Sequence, residues 1–276
     1  MRERRTEKLE LRAPDGQKLR GVYSRAAGDR PGPVIVFAHG FGSVRSGEKS
    51  VALETECARR GWAFAACDFR GHGESDGTMP GLRGRRLIED LDVVTREAAN
   101  RGGSPLFLFG SSMGGWASAW FAAKHPGRVA ACAFVAPAFR FLEWKRLREA
   151  ERSEWRRTGR LRVRNEFVDV EIDYGLTADA NDYPFETLAA EFRAPAIIFH
   201  GMADETVPYS LSVEFAESCP VPEIELALFK SGDHRLNRER EKLAFAACEF
   251  FTSVVVSGAE NRRTEKWRTE KWKTEK

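Results

Sequence analysis

The chain has 276 residues, of which 42% are hydrophobic and 31% charged, and its net charge is +3. That is enough chain and enough apolar residue for one large domain with a sizeable core, which excludes a mostly disordered polymer. So balanced a charge gives no argument for a nucleic-acid partner.

The five cysteines, Cys57, Cys67, Cys132, Cys219 and Cys248, lie mostly inside apolar segments, with no C-x-x-C pair and no Cys/His cluster. They read as small buried side chains in a reducing compartment, with no disulfide frame and no metal site. The first residues, Met1 to Lys8, are charged and carry no apolar h-region, and no apolar run is long enough to span a bilayer. The expectation is a soluble cytoplasmic protein with no membrane partner. Nothing in the sequence speaks to oligomeric state.

In chain order, Lys8 to Arg12 and Lys18 to Tyr23 flank the turn signal Pro14-Asp15-Gly16 and predict an opening antiparallel hairpin. Val34 to Ala38 is a strand apolar enough to be central, and it ends in His39-Gly40-Phe41-Gly42-Ser43. A glycine-flanked loop after a central strand is where α/β sheets place ligands. A helix is predicted over Ser50 to Arg60 and a strand over Trp62 to Cys67. The cluster Asp68-Phe69-Arg70-Gly71-His72-Gly73-Glu74-Ser75 follows; short polar side chains and glycines there tie down a loop, so Asp68 and His72 are assigned to structure. Leu82 to Arg101 predicts a long helix.

The next stretch organises the chain. Leu106 to Phe109 is a continuous apolar run, as in a parallel strand covered on both faces. Gly110-Ser111-Ser112-Met113-Gly114 then matches G-x-S-x-G, with Gly115 and a helix from about Met113 to Lys124 behind it. A serine held in a strained conformation needs neighbours without Cβ, and a helix start aimed at it favours an oxyanion. A glycine-rich turn without chemistry carries the same local pattern, so a base and an acid must come from elsewhere. Val129 to Ala136 is a further strand; His125, before it, reads as a helix-end residue.

After Pro137 the composition shifts. Phe139 to Arg164 is rich in Arg and Glu, interleaved with aromatics, and reads as one amphipathic helix leading into a hairpin. The hairpin is Leu161 to Arg164, a turn at Asn165-Glu166, and Phe167 to Ile172; Tyr174 to Tyr183 is loop-like. The basic excess is expected to be a solvated, ion-paired face. Ala196 to Phe199 resumes the core and ends in His200-Gly201-Met202-Ala203-Asp204. A helix over Tyr209 to Ser218, a strand over Ile224 to Phe229, then Gly232-Asp233-His234 and a last core helix to about Val256 complete it. Beyond lie RTEKW-type repeats of period five, echoed at Arg5 to Lys8, which form no apolar stripe and read as a mobile low-complexity extension.

Ser112, Asp204 and His234 therefore each follow a core strand, in that order. The roles are those of nucleophile, orienting acid and general base, with the Phe41 and Met113 N–H groups as oxyanion donors. No metal and no cofactor is needed. The five motifs around His39, Asp68, Ser112, Asp204 and His234 resemble the α/β-hydrolase superfamily over nearly the full length. Two neighbourhoods are similar: the depalmitoylase and acyl-glucuronide esterase group, at Gly110 to Trp116, His200 to Pro208 and Asp233 to Arg235, and the bacterial cinnamoyl and feruloyl esterases, through the inserted hairpin.

The resemblance implies an α/β fold, a mostly parallel central sheet with helices on both faces and a small inserted cap. Its parts would be residues 1–136 and 194–258 as core, 137–193 as cap and 259–276 as tail. It implies a serine carboxylesterase of short-to-medium acyl or aromatic esters, a small-molecule substrate, with Phe139, Phe141, Leu142 and Trp144 expected to build the acyl pocket. A thioesterase would use the same triad. A dehalogenase or epoxide hydrolase would need an Asp where Ser112 stands, and a non-catalytic binding module would be expected to lack one of the three residues.

Overall fold

The computed structural model describes residues 6–25, 32–144, 147–164 and 168–274, with side chains described up to residue 257. Its elements are β1 (Thr6–Arg12), β2 (Lys18–Ser24), β3 (Val34–Ala38), α1 (Glu48–Arg60), β4 (Ala63–Cys67), α2 (Gly84–Asn100), β5 (Leu106–Ser111), α3 (Met113–Lys124) and β6 (Ala131–Val135). They continue with α4 (Glu149–Thr158), β7 (Arg160–Arg164), β8 (Asp169–Asp173), α5 (Phe185–Glu191), β9 (Ala196–Gly201), α6 (Ser210–Ser218), β10 (Ile224–Phe229) and α7 (Arg240–Thr274).

Eight strands form one sheet in the order β1-β2-β4-β3-β5-β6-β9-β10. β1, β2 and β4 pair antiparallel at one edge, and every pairing from β4 to β10 is parallel. The apolar runs are explained by burial on both faces. Pleating sends Val34, Val36 and Ala38 to one side and Ile35 and Phe37 to the other. The first side packs under α2 and α3 through Leu87, Leu91, Val94, Trp116 and Trp120. The second packs under α1 and α7 through Leu53, Cys57, Leu243, Ala247 and Phe251, with Phe107 stacked on Phe251 at 4.3 Å. This is the α/β-hydrolase architecture that the motifs imply.

The insert between β6 and β9 departs from the expected single helix. Phe139 to Glu143 forms turns, Trp144 has φ +47°, and α4 begins only at Glu149, where the Glu151 side chain accepts from the Arg148 N–H at 2.8 Å. Phe139 and Leu142 are buried against the core, which anchors that stretch as a turn. The arms of the hairpin alternate as expected, and its turn, residues 165–167, lies outside the described residues. The charged faces are ion-paired: Arg162 with Asp169 at 2.6 Å and Arg157 with Glu154 at 2.6 Å. Arg83 to Asp173, at 2.9 Å, and the Arg85 N–H to Asp179, at 3.0 Å, fasten the insert to the start of α2.

The other departure is at the carboxyl end. The last helix does not stop near Val256 but runs to Thr274, through the repeats read as a mobile extension. A period of five forbids a continuous apolar stripe, yet Arg, Glu and Lys have high helix propensity. A helix already nucleated on the core propagates through them. Of the echo at Arg5 to Lys8, Thr6 to Lys8 open β1 and Arg5 lies outside the described residues.

Candidate active site

The site forms where β3, β5, β9 and β10 end at the same edge of the sheet, since parallel strands release their following loops on one side. Ser112 directly follows β5 and precedes α3 with φ +52° and ψ −114°. L-residues pay on the order of 1–3 kcal/mol for such a conformation, which persists where the surroundings enforce it. The enforcement is close packing. A Cβ on Gly110 would lie 2.5 Å from the Gly114 carbonyl oxygen, and one on Gly114 would lie 2.2 Å from that of Ala38. Only glycines let β5, α3 and the end of β3 meet so closely around the serine.

His234, in the loop after β10, places Nε2 3.0 Å from Ser112 Oγ and Nδ1 2.7 Å from Asp204 Oδ2. A carboxylate oxygen only accepts, so Nδ1 carries the proton and Nε2 faces the serine hydroxyl with its lone pair, the tautomer a general base requires. Asp204, in the loop after β9, is fully enclosed. Its Oδ1 accepts from the N–H groups of Thr206 and Val207 at 2.7 and 2.8 Å. Its Oδ2 faces His234 and, at 3.1 Å, His200 Nε2. Burial alone would raise its pKa, but the bonds from His200, His234 and Val207 outweigh it and hold the carboxyl well below the usual carboxylate range. All four acceptor positions are filled, and a carboxylate held in this way can orient an imidazole and stabilise its cation without taking the proton.

The oxyanion candidates are also adjacent. Met113 is the first residue of α3, so its N–H is one of the donors a helix start leaves unpaired. The turn that carries Phe41 rests on Ser112: a Cβ on Gly40 would lie 3.4 Å from Ser112 Cβ. That turn is held by His39, whose Nε2 accepts from the Phe69 N–H at 3.0 Å and whose Nδ1–H donates to Gly40 O at 2.9 Å. Asp68 holds its far end, accepting from the Arg45 N–H at 2.7 Å, pairing with the Arg45 guanidinium, and accepting from the Glu74 N–H at 3.0 Å.

His72 lies edge-on to His39 and Phe41, with ring centroids 5.0 and 6.3 Å away. Its ring is buried, with the Arg70 main chain as its polar neighbour. Burial, with His39 beside it, pushes His72 down to about 3, and burial pushes His39 to about 4. Both pKa values lie below the unfolded value, about 6.5, so the unfolded chain binds more protons. Their contribution to stability is complete above pH about 6.5 and is lost as pH falls towards the folded values. The denaturant midpoint of the native chain is expected to fall between pH 7 and pH 4.5. His72→Phe, which removes a buried ring that would have to take up a proton, is expected to show a shallower acid dependence. An unchanged pH slope in that variant would contradict this assignment.

A cavity of about 490 Å³ opens beside Ser112 and His234. Phe41, Val44 and Val168 give it an apolar side; Lys49, Thr206, Arg235 and Asn237 give it a polar one. None of Phe139, Phe141, Leu142 and Trp144 lines it, which corrects the expected acyl pocket. Phe139 is buried, stacked on Phe215 at 4.1 Å, and Leu142 is buried under the start of α2, beside Gly84. Phe141 sits 6.2 Å from Phe41 and 5.9 Å from Trp116, and Trp144 packs edge-on against Trp155 at 5.4 Å. Phe139, Phe141 and Leu142 bind the insert to the core, and Trp144 packs within the insert on Trp155.

Sequence reasoning did not assign Val168, Lys49 or the role of His200. Val168 reaches the cavity from the insert, and a Cβ on Gly42, which has φ +65°, would lie 2.6 Å from it. His200 is buried between Asp204 and Ser212 Oγ, the latter at 2.7 Å. Its place at the end of β9, four residues before the acid, was the available signal. Among the described residues no group of side chains could hold a metal ion.

Fold and site together define an α/β hydrolase carrying a Ser–His–Asp constellation. A family model described as serine aminopeptidase, S33, matches residues 29–173. Mouse palmitoyl-protein thioesterase ABHD10, mitochondrial, is 30% identical over 228 residues, 80% of this chain and 74% of that protein. The solved structure of α/β hydrolase domain-containing protein 10 from mouse superposes with a TM-score of 0.76 at 25% identity, over 90% of this chain and 99% of that one. Est1E of Butyrivibrio proteoclasticus, solved with ferulic acid bound, shares the fold with a TM-score of 0.74 at 22% identity, over 89% and 99% of the two chains. The chain belongs to this S33 hydrolase family, and it is a hydrolase.

Proposed function

We propose that the protein is a serine carboxylesterase acting on short-to-medium acyl or aromatic esters through an acyl-enzyme. The observation that carries this reading is the continuous relay from Ser112 Oγ to His234 Nε2 and from His234 Nδ1 to Asp204. His234 takes the serine proton as Oγ attacks the ester carbonyl. The tetrahedral oxyanion is held by the Phe41 and Met113 N–H groups, each typically worth about 3–4 kcal/mol in such sites. The imidazolium returns the proton to the leaving alcohol, and water then repeats the sequence on the acyl-enzyme. The cavity's size falls within the usual small-molecule range of about 300–1,000 Å³, and its apolar side of Phe41, Val44 and Val168 suits a short acyl or aryl group. The mostly buried cysteines, in no disulfide among the described residues, suit a reducing, cytoplasmic setting.

A second reading, acyl thioesterase, is favoured by the similarity to mouse palmitoyl-protein thioesterase ABHD10 and uses the same steps with a thiolate leaving group. A p-nitrophenyl series from acetate to palmitate decides between them, run beside a feruloyl ester, a palmitoyl thioester and an aminoacyl amide for the chemistry that the family's description names. The esterase reading expects kcat/KM to peak at short or medium chains or at the feruloyl ester. A peak at palmitate, or a strong thioester or amide preference, would overturn it.

A further inference from the structure

Lys49 is a half-buried lysine in the first turn of α1 whose hydrogen-bond partners lie in the loop that carries His234. Its Nζ donates to the main-chain oxygen of Arg235 at 2.7 Å and to Asn237 Oδ1 at 3.1 Å. Asn237 Nδ2 in turn donates to Glu48 Oε1 at 2.9 Å, so two adjacent residues of α1 grip the same loop. From within, Asp233 Oδ1 accepts from the N–H groups of Arg235 and Leu236, at 3.1 and 2.8 Å, and Leu236 takes φ +47°. The histidine thus sits in a segment fixed on its amino side by Asp233 and on its carboxyl side by Lys49.

Burying an ammonium against neutral oxygens is costly. Burial and the charge of Arg235 pull Lys49 down to about 8, with Glu48 and Asp233 opposing, so it is still largely cationic at neutral pH. Hydrogen bonds from a cation are roughly twice as strong as neutral ones, which gives the arrangement a use. The two bonds from Nζ tie the Arg235 main-chain oxygen and the Asn237 side chain to α1, and His234 lies one residue before the first of them. A displacement of about 1 Å at a reacting group can cost about 100-fold in rate.

We infer that Lys49 is a positioning residue: it clamps the main chain one residue beyond His234 and so keeps His234 Nε2 within reach of Ser112 Oγ. The inference rests on the triad reading above, so its test includes a readout that needs no substrate. The proton shared by His234 Nδ1 and Asp204 gives a downfield proton NMR signal in a well-held pair.

Lys49→Met, which keeps most of the packing, is expected to broaden or lose that signal. It is expected to lower kcat on the best ester about 10- to 100-fold with KM changed less than about threefold. Lys49→Arg, which can still donate to both oxygens, is expected to restore the signal and most of kcat. Asn237→Ala, which leaves the bond to Arg235 O, is expected to have a smaller effect and guards against a misfolded Met variant. A Lys49→Met protein that keeps the sharp signal and its kcat would overturn the inference, as would a rise in KM alone, which would make Lys49 a substrate contact. If the native chain hydrolyses none of the substrates, the NMR comparison still decides the role of Lys49, and only the esterase reading fails.

Discussion

Ser112→Ala is expected to lower ester hydrolysis by on the order of 10⁶-fold in kcat, the scale seen when a triad nucleophile is removed. The fold should survive, because the demand at this position is on the backbone. The strain at φ +52° is imposed by the contacts of Gly110 and Gly114, and alanine adds nothing beyond the Cβ that serine already has. Residual turnover of roughly 10³- to 10⁴-fold over water would remain from the oxyanion donors and from binding. Steady-state kinetics on the best p-nitrophenyl ester, with circular dichroism as the folding control, measure both. A variant that retained even a tenth of native kcat would show that another nucleophile does the work.

Asp204→Asn is expected to lower kcat by about 10⁴-fold, and the hydrogen bonds explain why a nearly isosteric change costs so much. The site offers this side chain only donors: two backbone N–H groups on Oδ1 and two imidazole N–H groups on Oδ2. An asparagine that keeps its oxygen on Thr206 and Val207 presents its NH₂ to His234. The imidazole must then put its proton on Nε2, facing Ser112, and can no longer act as a base. With the amide turned round, the NH₂ meets two backbone donors, and leaving buried donors unpaired costs about 1–3 kcal/mol each. In the native chain the carboxyl stays ionised down to strongly acid pH, since its pKa is depressed. Its stabilising contribution is present above the unfolded value, about 3.9, and is lost only as pH falls further towards the folded value. The acid limb of the native rate profile must then report a group other than Asp204. A variant with kcat within tenfold of native, measured at the same pH, would contradict this role.

What the sequence disclosed follows from how local each constraint is. The turn around Ser112 is written in glycines because β5, α3 and the end of β3 approach within a Cβ's width, and no other residue fits. Asp204 and His234 could be picked out because each directly follows an apolar strand, and parallel strands deliver their ends to one edge. The acyl pocket could not be found this way. An aromatic in the insert reads the same whether it lines a cavity or packs inward, and Phe139 packs inward on Phe215. Lys49 meets Arg235 across 186 residues, a juxtaposition that no periodicity encodes. The last helix outran its expected end because the absence of an apolar stripe forbids packing but not helix.

The central claim is that Ser112 is the nucleophile that His234 activates. It is tested most directly by treating the folded protein with a fluorophosphonate and reading intact mass and the modified peptide. The account predicts one adduct, on the peptide carrying Ser112, absent from Ser112→Ala and formed far more slowly in His234→Ala. No adduct on the folded native chain, or an adduct on another residue, would contradict it.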